Sequence, residues 1–157
     1  MLEFLPLDRV ENPILRGAAE YWQRLRGSRR FPTREELKPS GFASAMRHMA
    51  LVRVVDGGAD FEYRIVGDSL AGAFSVPLQS RRLGELDTKA AYTVEVIGRV
   101  YRRCVRDGEG FVLRGTTGRN PQTAMFTHFE ALVLPLGPAE TEVDHLLTFM
   151  TCDPPRS

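Results

Sequence analysis

His128 and Glu130 stand two residues apart in HFEALVLPL, and on an extended strand side chains two apart share a face. With Tyr63, from another strand-like run, they form the grouping from which a small-molecule enzyme working by proton transfer could be assembled. Other catalytic signatures are missing. His48 and His145 lie in different elements again, without HExxH spacing, and all three histidines read as surface or packed residues rather than metal ligands or bases. No GxSxG elbow, phosphate-binding loop or dinucleotide fingerprint occurs. Cys104 and Cys152 lack CxxC spacing, so neither a conventional zinc site nor a disulfide framework is expected. Cys104 falls on the apolar stripe of a helix, where a buried, inert thiol is expected.

A second group is denser. Between Trp22 and Pro39 the chain reads WQRLRGSRRFPTREELKP, with arginine clusters on both sides of Gly27. One reading is a helix C-terminus whose cations favour its dipole, followed by a turn. The other is a docked, hydrogen-bonded corner built on Trp22, Arg26 and Arg30. There Trp22 is buried, and at least one guanidinium bonds backbone carbonyls or a carboxylate through its fixed fork of donors. Tryptophan beside arginine is also the composition of an interface anchor, so an exposed recognition surface is the alternative.

The elements that must position these residues follow from periodicity. Asn12 caps a helix with Pro13 in its first turn, and Ile14, Leu15, Ala18, Tyr21, Trp22 and Leu25 recur at helical spacing up to Gly27. Thr33 and Glu36 have capping-box spacing for a short helix that Pro39 stops, and residues 40–49 suit another helical turn or two. Residues 51–56 and 61–67 form two strands around the turn at 57–60, a hairpin pattern. Residues 68–74 and 83–86 read as short helical pieces. Ala90, Val94, Ile97, Tyr101 and Cys104 then make one apolar stripe on a long helix over 88–106. Strands are expected at 110–117, 124–136 and 143–151, with turns at 118–121 and 137–138.

Two strands, then helices, then three strands without βαβ alternation predict an α+β fold. Its antiparallel sheet has five strands with helices on one face, preceded by an N-terminal helical extension. The last three strands pair as a meander, and the long helix carries the chain across the sheet. The expected division is residues 1–47 as the extension, 48–152 as the core and 153–157 as a tail.

Composition narrows the function classes. The 157 residues suit one domain, and 43% hydrophobic with 26% charged residues is ordinary for a globular protein. A net charge of +1 argues against nucleic acid as the main partner. Residues 1–53 hold ten Arg/Lys against six Asp/Glu and residues 120–157 hold one against five, which reads as two differently solvated faces. No apolar run approaches the roughly 20 residues that span a bilayer. MLEFLPLDRVE lacks the basic start and apolar stretch of a signal peptide, so a reducing cytoplasm is expected.

The order of elements resembles a PAS domain, and more closely a PAS family of stand-alone alphaproteobacterial proteins with a helical N-terminal segment. The opening block Trp22, Leu25, Arg26, Arg30, Phe31, Pro32 and Pro39 carries the resemblance. Phe61, Tyr63, Arg64 and Gly67 match its second strand, Phe74 the end of its short helix, and Glu130, Leu134, Pro135 and Leu136 its long fourth strand. Ser75 and Ser80 stand where the family pattern carries glycine, which suits positive φ or close backbone approach.

The resemblance implies a cytoplasmic sensory or regulatory domain without catalysis, acting through a partner protein, a small apolar or amphipathic ligand, or both, as a homodimer. Such a ligand would lie between sheet and helices against Tyr63, Phe74, Tyr101, Phe111, Phe126 and His128, unless these side chains simply fill the core. A helix before the core either pairs with its counterpart in a second subunit or caps the sheet. Flavin is not expected: Gly118-Arg119-Asn120-Pro121-Gln122 echoes the photoreceptor motif GRNCRFLQ, but Pro121 replaces the adduct-forming cysteine. Haem would need an axial histidine, for which His128 is the candidate, and is likewise not expected.

Overall fold

The computed structural model describes residues 2–74, 77–86, 91–116 and 128–153. Strand β1 (Leu2–Leu5) leads through a 3-10 turn to helix α1 (Pro13–Arg26). Asn12 caps α1 as its spacing predicts: its Oδ1 accepts from the amides of Ile14 at 2.9 Å and Leu15 at 3.2 Å. Gly27, at φ +59, ends the helix. Three 3-10 segments (Arg34–Glu36, Pro39–Gly41 and Ala43–His48) follow, the first held by the Thr33–Glu36 capping box. Strands β2 (Met49–Val55) and β3 (Asp60–Val66) form the hairpin, whose connection is possible because Gly57 and Gly58 take positive φ. Helix α2 (Asp68–Ala73), a 3-10 turn (Leu83–Glu85) and the long helix α3 (Ala91–Asp107) precede β4 (Phe111–Thr116), β5 (His128–Leu136) and β6 (His145–Asp153).

The fold class is the one expected: α+β, with every strand pairing antiparallel in the order β1-β4-β5-β6-β2-β3. Helix α3 bridges the hairpin and the β4-β5-β6 meander. Among the described residues the sheet has six strands rather than five, because residues 2–5 pair with β4, Leu2 opposite Gly115 and Leu5 opposite Val112. A four-residue strand is too short to display its period, and its partner lies more than a hundred residues away.

Helical elements cover both faces of the sheet rather than one. On the outer face Leu15, Ala18 and Trp22 of α1 pack with Phe31 and Phe42 onto Leu132, Leu134, Leu147 and Phe149. On the inner face Val100, Tyr101 and Cys104 of α3 pack with Leu70 and Leu83 onto Phe61, Tyr63, Val133 and Leu146. Along β5 the alternation is complete: Ala131 and Val133 look inward, Leu132, Leu134 and Leu136 outward. Such a strand, apolar on both sides, must be covered twice. The stripe of α1 is therefore engaged within the chain itself.

The free side of β3 is shielded by the segment after α2. The Ser80 amide donates to the Tyr63 carbonyl and the Tyr63 amide to that of Arg81, both at 2.9 Å. Ser80 reaches this position at φ +63, in the conformation that suits the glycine of the family pattern. Ser75 lies outside the described residues.

Candidate functional site

Four of the six residues picked for a ligand chamber share the inner face. Tyr63 on β3 and Tyr101 on α3 are buried, and their hydroxyls meet at 2.9 Å. The Phe61 ring stands edge-on to Tyr101 with centroids 5.2 Å apart. Phe111 is buried in the same cluster and Phe74 packs partly against it. Burial raises the Tyr63 phenol well above its ordinary range, and Tyr101 is pushed up to about 12 despite hydrogen bonds to Tyr63 and Thr148. Both are neutral hydroxyls at physiological pH. Burial likewise drives the Cys104 thiol upward, so it stays protonated and unreactive.

The other two candidates are not placed there. Phe126 lies outside the described residues, as does the segment 118–122 that echoes the flavin motif. His128 is exposed and shares the parity of Glu130 and Leu132, which is that of the outer face. The combination of His128, Glu130 and Tyr63 is thus divided by the sheet. His128 and Glu130 share one face, as their spacing predicts, but Tyr63 looks to the opposite side. The remaining histidines lie apart as well. His145 pairs with Leu136 and His128 with Asp153, at opposite ends of the β5–β6 ladder. His48 precedes β2. Among the described residues no three His, Cys, Asp or Glu side chains converge to hold a metal.

Glu130 has a different occupation. It accepts from the Asn12 amide at 2.8 Å, the Glu11 amide at 3.1 and 3.2 Å, and Arg114 Nε at 2.8 Å. Arg114 also donates to the Arg9 carbonyl and lies 3.3 Å from the Glu11 carboxylate. This half-buried clamp ties the start of α1 to β4 and β5. Burial alone would raise the Glu130 carboxyl, but the Asn12 amide, Arg114 and the Glu11 amide together hold it below the ordinary glutamate range. An acid in the apolar run HFEALVLPL is itself the signal of a buried carboxylate with partners.

At the far end of α1 the arginine-rich corner closes on the sheet. Trp22 is 2% exposed, and its indole N–H donates to the Pro135 carbonyl at 3.0 Å. Arg26 lies 5.5 Å from the Trp22 ring and donates to the Arg29 carbonyl at 2.8 Å. Arg30 donates to the carbonyls of Asp107, at the end of α3, and Glu140. Gly108, next in the chain, sits at φ +65, where a Cβ would stand 2.8 Å from an Arg30 nitrogen. The centre of the turn is Arg29, which the sequence does not single out from its neighbours. It donates to the carbonyls of Leu25 and Arg26 and forms a two-pronged pair with Glu36 at 2.7 and 2.9 Å. Arg29, with the Thr33 amide, holds the Glu36 carboxyl down at about 2.

Beside this corner a cleft of about 570 Å³ opens between β1, the end of α1 and the turn from α3 to β4. Phe4, Leu7, Trp22 and Phe111 supply apolar walls; Arg26, Arg30, Arg103 and Glu109 supply charge. Arg103 of α3 is exposed, on the solvent side of its helix. Its guanidinium also lies over the Phe4 ring at 4.1 Å and near Phe111 at 5.7 Å. The unforeseen strand β1 brings Phe4 there.

The sequence profile of a family described as PAS domain matches residues 10–151, nearly the whole chain. The chain belongs to the PAS domain family. Neither the curated proteins nor the solved structures yield a match. The matched span of this PAS domain begins just before α1 and runs into β6, so it includes both the outer cap and the inner face. PAS domains are sensory and regulatory modules, and that role comes with the family. No helix among the described residues is long and apolar enough to cross a membrane.

Proposed function

We propose that this PAS domain is a non-catalytic regulatory module of the cytoplasm, and that its output passes through a partner protein. The observation that carries the reading is the occupation of the inner face. Tyr63 and Tyr101 hold each other's hydroxyls, with Phe61 and Cys104 fully enclosed around them. Such an interior supports a domain that transmits state through packing. The division of His128 and Glu130 from Tyr63 supports the absence of catalysis, as does the engagement of Glu130 with two amides and Arg114.

A small ligand entering the inner face would meet Tyr63, Phe74, Tyr101 and Phe111 and would have to part the tyrosine pair. Self-association is retained in the reading, but the α1 stripe is buried on its own sheet, so a second copy has to use other surfaces.

Native mass spectrometry of the gently purified chain tests this directly, since it reports copy number and retained ligand together. Cross-linking in the source cell should recover one protein in stoichiometric amount. Turnover of a small molecule that is abolished by His128→Ala would overturn the reading, and so would a chain that holds no partner and no ligand.

A further inference from the structure

We propose that the cleft beside Trp22 is a binding site for a small amphipathic carboxylate, an acid carried on an aryl or short alkyl body. The site lies at the edge of the inner chamber where a PAS ligand was expected, sharing Phe111 with it but not Tyr63, Phe74 or Tyr101. Its volume of about 570 Å³ falls within the range of small-molecule pockets and is too small for a folded partner.

Three observations define the ligand chemistry. The first is charge: three guanidinium groups face the cleft against the single carboxylate of Glu109. Among the described residues neither Arg26 nor Arg30 forms an ion pair, and both bond only to backbone carbonyls. Arg103 stands 3.9 Å from Asp107, a carboxylate that Arg106 already holds at 2.9 Å. The second is an incomplete hydrogen-bond set. Arg26 Nε is buried without an acceptor, the one such side-chain atom found among the described residues. A stranded donor makes this placement of Arg26 costly, so a turn of its guanidinium toward a carboxylate in the cleft would be favoured. The third is the wall. Phe4, Leu7, Trp22 and Phe111 leave apolar surface that a bare phosphate or sulfate would not use, whereas an aryl or alkyl body would cover it.

Arg103 is set for this task. Its guanidinium lies over Phe4, with Asp107 3.9 Å from its Nε, and among the described residues it makes no hydrogen bond to a carboxylate that a planar acid would have to displace. A bound carboxylate would join β1, the end of α1 and the end of α3. The inference stands apart from the partner-binding reading, because ligand binding measured on the isolated chain neither requires nor excludes a partner.

The test is nuclear magnetic resonance on the full-length, isotope-labelled chain. Trp22 is the sole tryptophan, so its indole N–H gives one reporter at the site, with the Gly108 and Gly110 amides as two more. The probes are phenylacetate, 3-phenylpropionate and 4-phenylbutyrate, each paired with its neutral amide. At least one acid should move all three signals in a saturable way. Its amide, and the acid with Arg103→Gln, should each bind about tenfold more weakly, the scale of one lost charge-assisted hydrogen bond. The acid–amide comparison needs no variant, so it decides even if Arg103→Gln folds poorly. The proposal is overturned if no acid shifts the three signals, if amides bind as well as acids, or if the shifts fall instead on Tyr63 and Tyr101.

Discussion

Replacing Glu130 by glutamine removes a charge while keeping the shape of the side chain. In the parent, Oε1 receives the Asn12 amide at 2.8 Å, and Oε2 receives Arg114 Nε at 2.8 Å and the Glu11 amide at 3.1 Å. A glutamine has one acceptor oxygen and one NH₂ group, so in either orientation a donor is turned against a donor. Removing one partner of a buried ion pair typically costs about 3–5 kcal/mol. Arg114 here keeps 24% side-chain exposure and the Glu11 carboxylate at 3.3 Å, which lowers the expectation to about 2–3 kcal/mol. For a chain of this size that corresponds to a fall in Tm of about 4–12 °C.

The pH dependence gives the sharper test. The folded-state carboxyl lies below its ordinary value of 4.5, so its contribution is present above that value. It is lost as pH falls through the lower folded value. Urea unfolding followed by Trp22 emission should therefore show parent and Glu130→Gln converging as the pH is taken down from about 7 through the carboxylate range. A gap that persists undiminished at acid pH, or a variant as stable as the parent at neutral pH, would refute the account of the clamp.

Four further outcomes are expected. Trp22→Ala should lose about 3–5 kcal/mol in chemical denaturation read by circular dichroism; a variant that melts like the parent would show that this ring does not hold α1 to the sheet. Tyr63→Phe and Tyr101→Phe should each cost about 1 kcal/mol in thermal melts, the double variant clearly less than their sum, because the pair shares one hydroxyl contact. Simple additivity would deny the coupling. Against a thiol-specific disulfide reagent, half-buried Cys152 should react promptly and Cys104, fully buried with its thiol held protonated, only at the rate of unfolding; two equally fast thiols would contradict that burial. Ser80→Gly should raise stability by up to about 1 kcal/mol, since a serine at φ +63 carries strain that glycine does not, and a destabilised variant would contradict it.

Local signals carried the regular elements. Asn12-Pro13, Thr33 with Glu36, the glycines at 57 and 58 and the stripe through Tyr101 and Cys104 each act over a few residues, and each marks the element found. Strand β1 has no such signal, since four residues show no period and Gly115 lies far along the chain. The covering of both faces was written in ALVLPL, an uninterrupted apolar run, but an apolar run does not say which helix lies on which side. Tyr63 and Tyr101 could be chosen from their elements, whereas the meeting of their hydroxyls depends on how α3 crosses β3. Parity within β5 correctly joins His128 to Glu130, yet parity within one strand is silent about Tyr63 on another. Arg29, Arg103 and Arg114 resemble any other arginine until their distant partners Glu36, Phe4 and Glu130 are in place.

Pairing of β1 with β4 bears on the order in which the molecule closes. The β2–β3 hairpin joins neighbours in sequence and can form early, whereas Leu2 must wait for Gly115. Among the described residues strand β1 is also the last strand on its side of the sheet, held by one neighbour along four residues. It is therefore the segment that folds late and frays first, and amide exchange along 2–5 should outpace exchange in the strands on either side of β6. Each such opening takes Phe4 from beneath Arg103 and removes a wall of the cleft. A ligand seated there would slow that opening, so occupancy would be legible in the exchange of amides it does not touch.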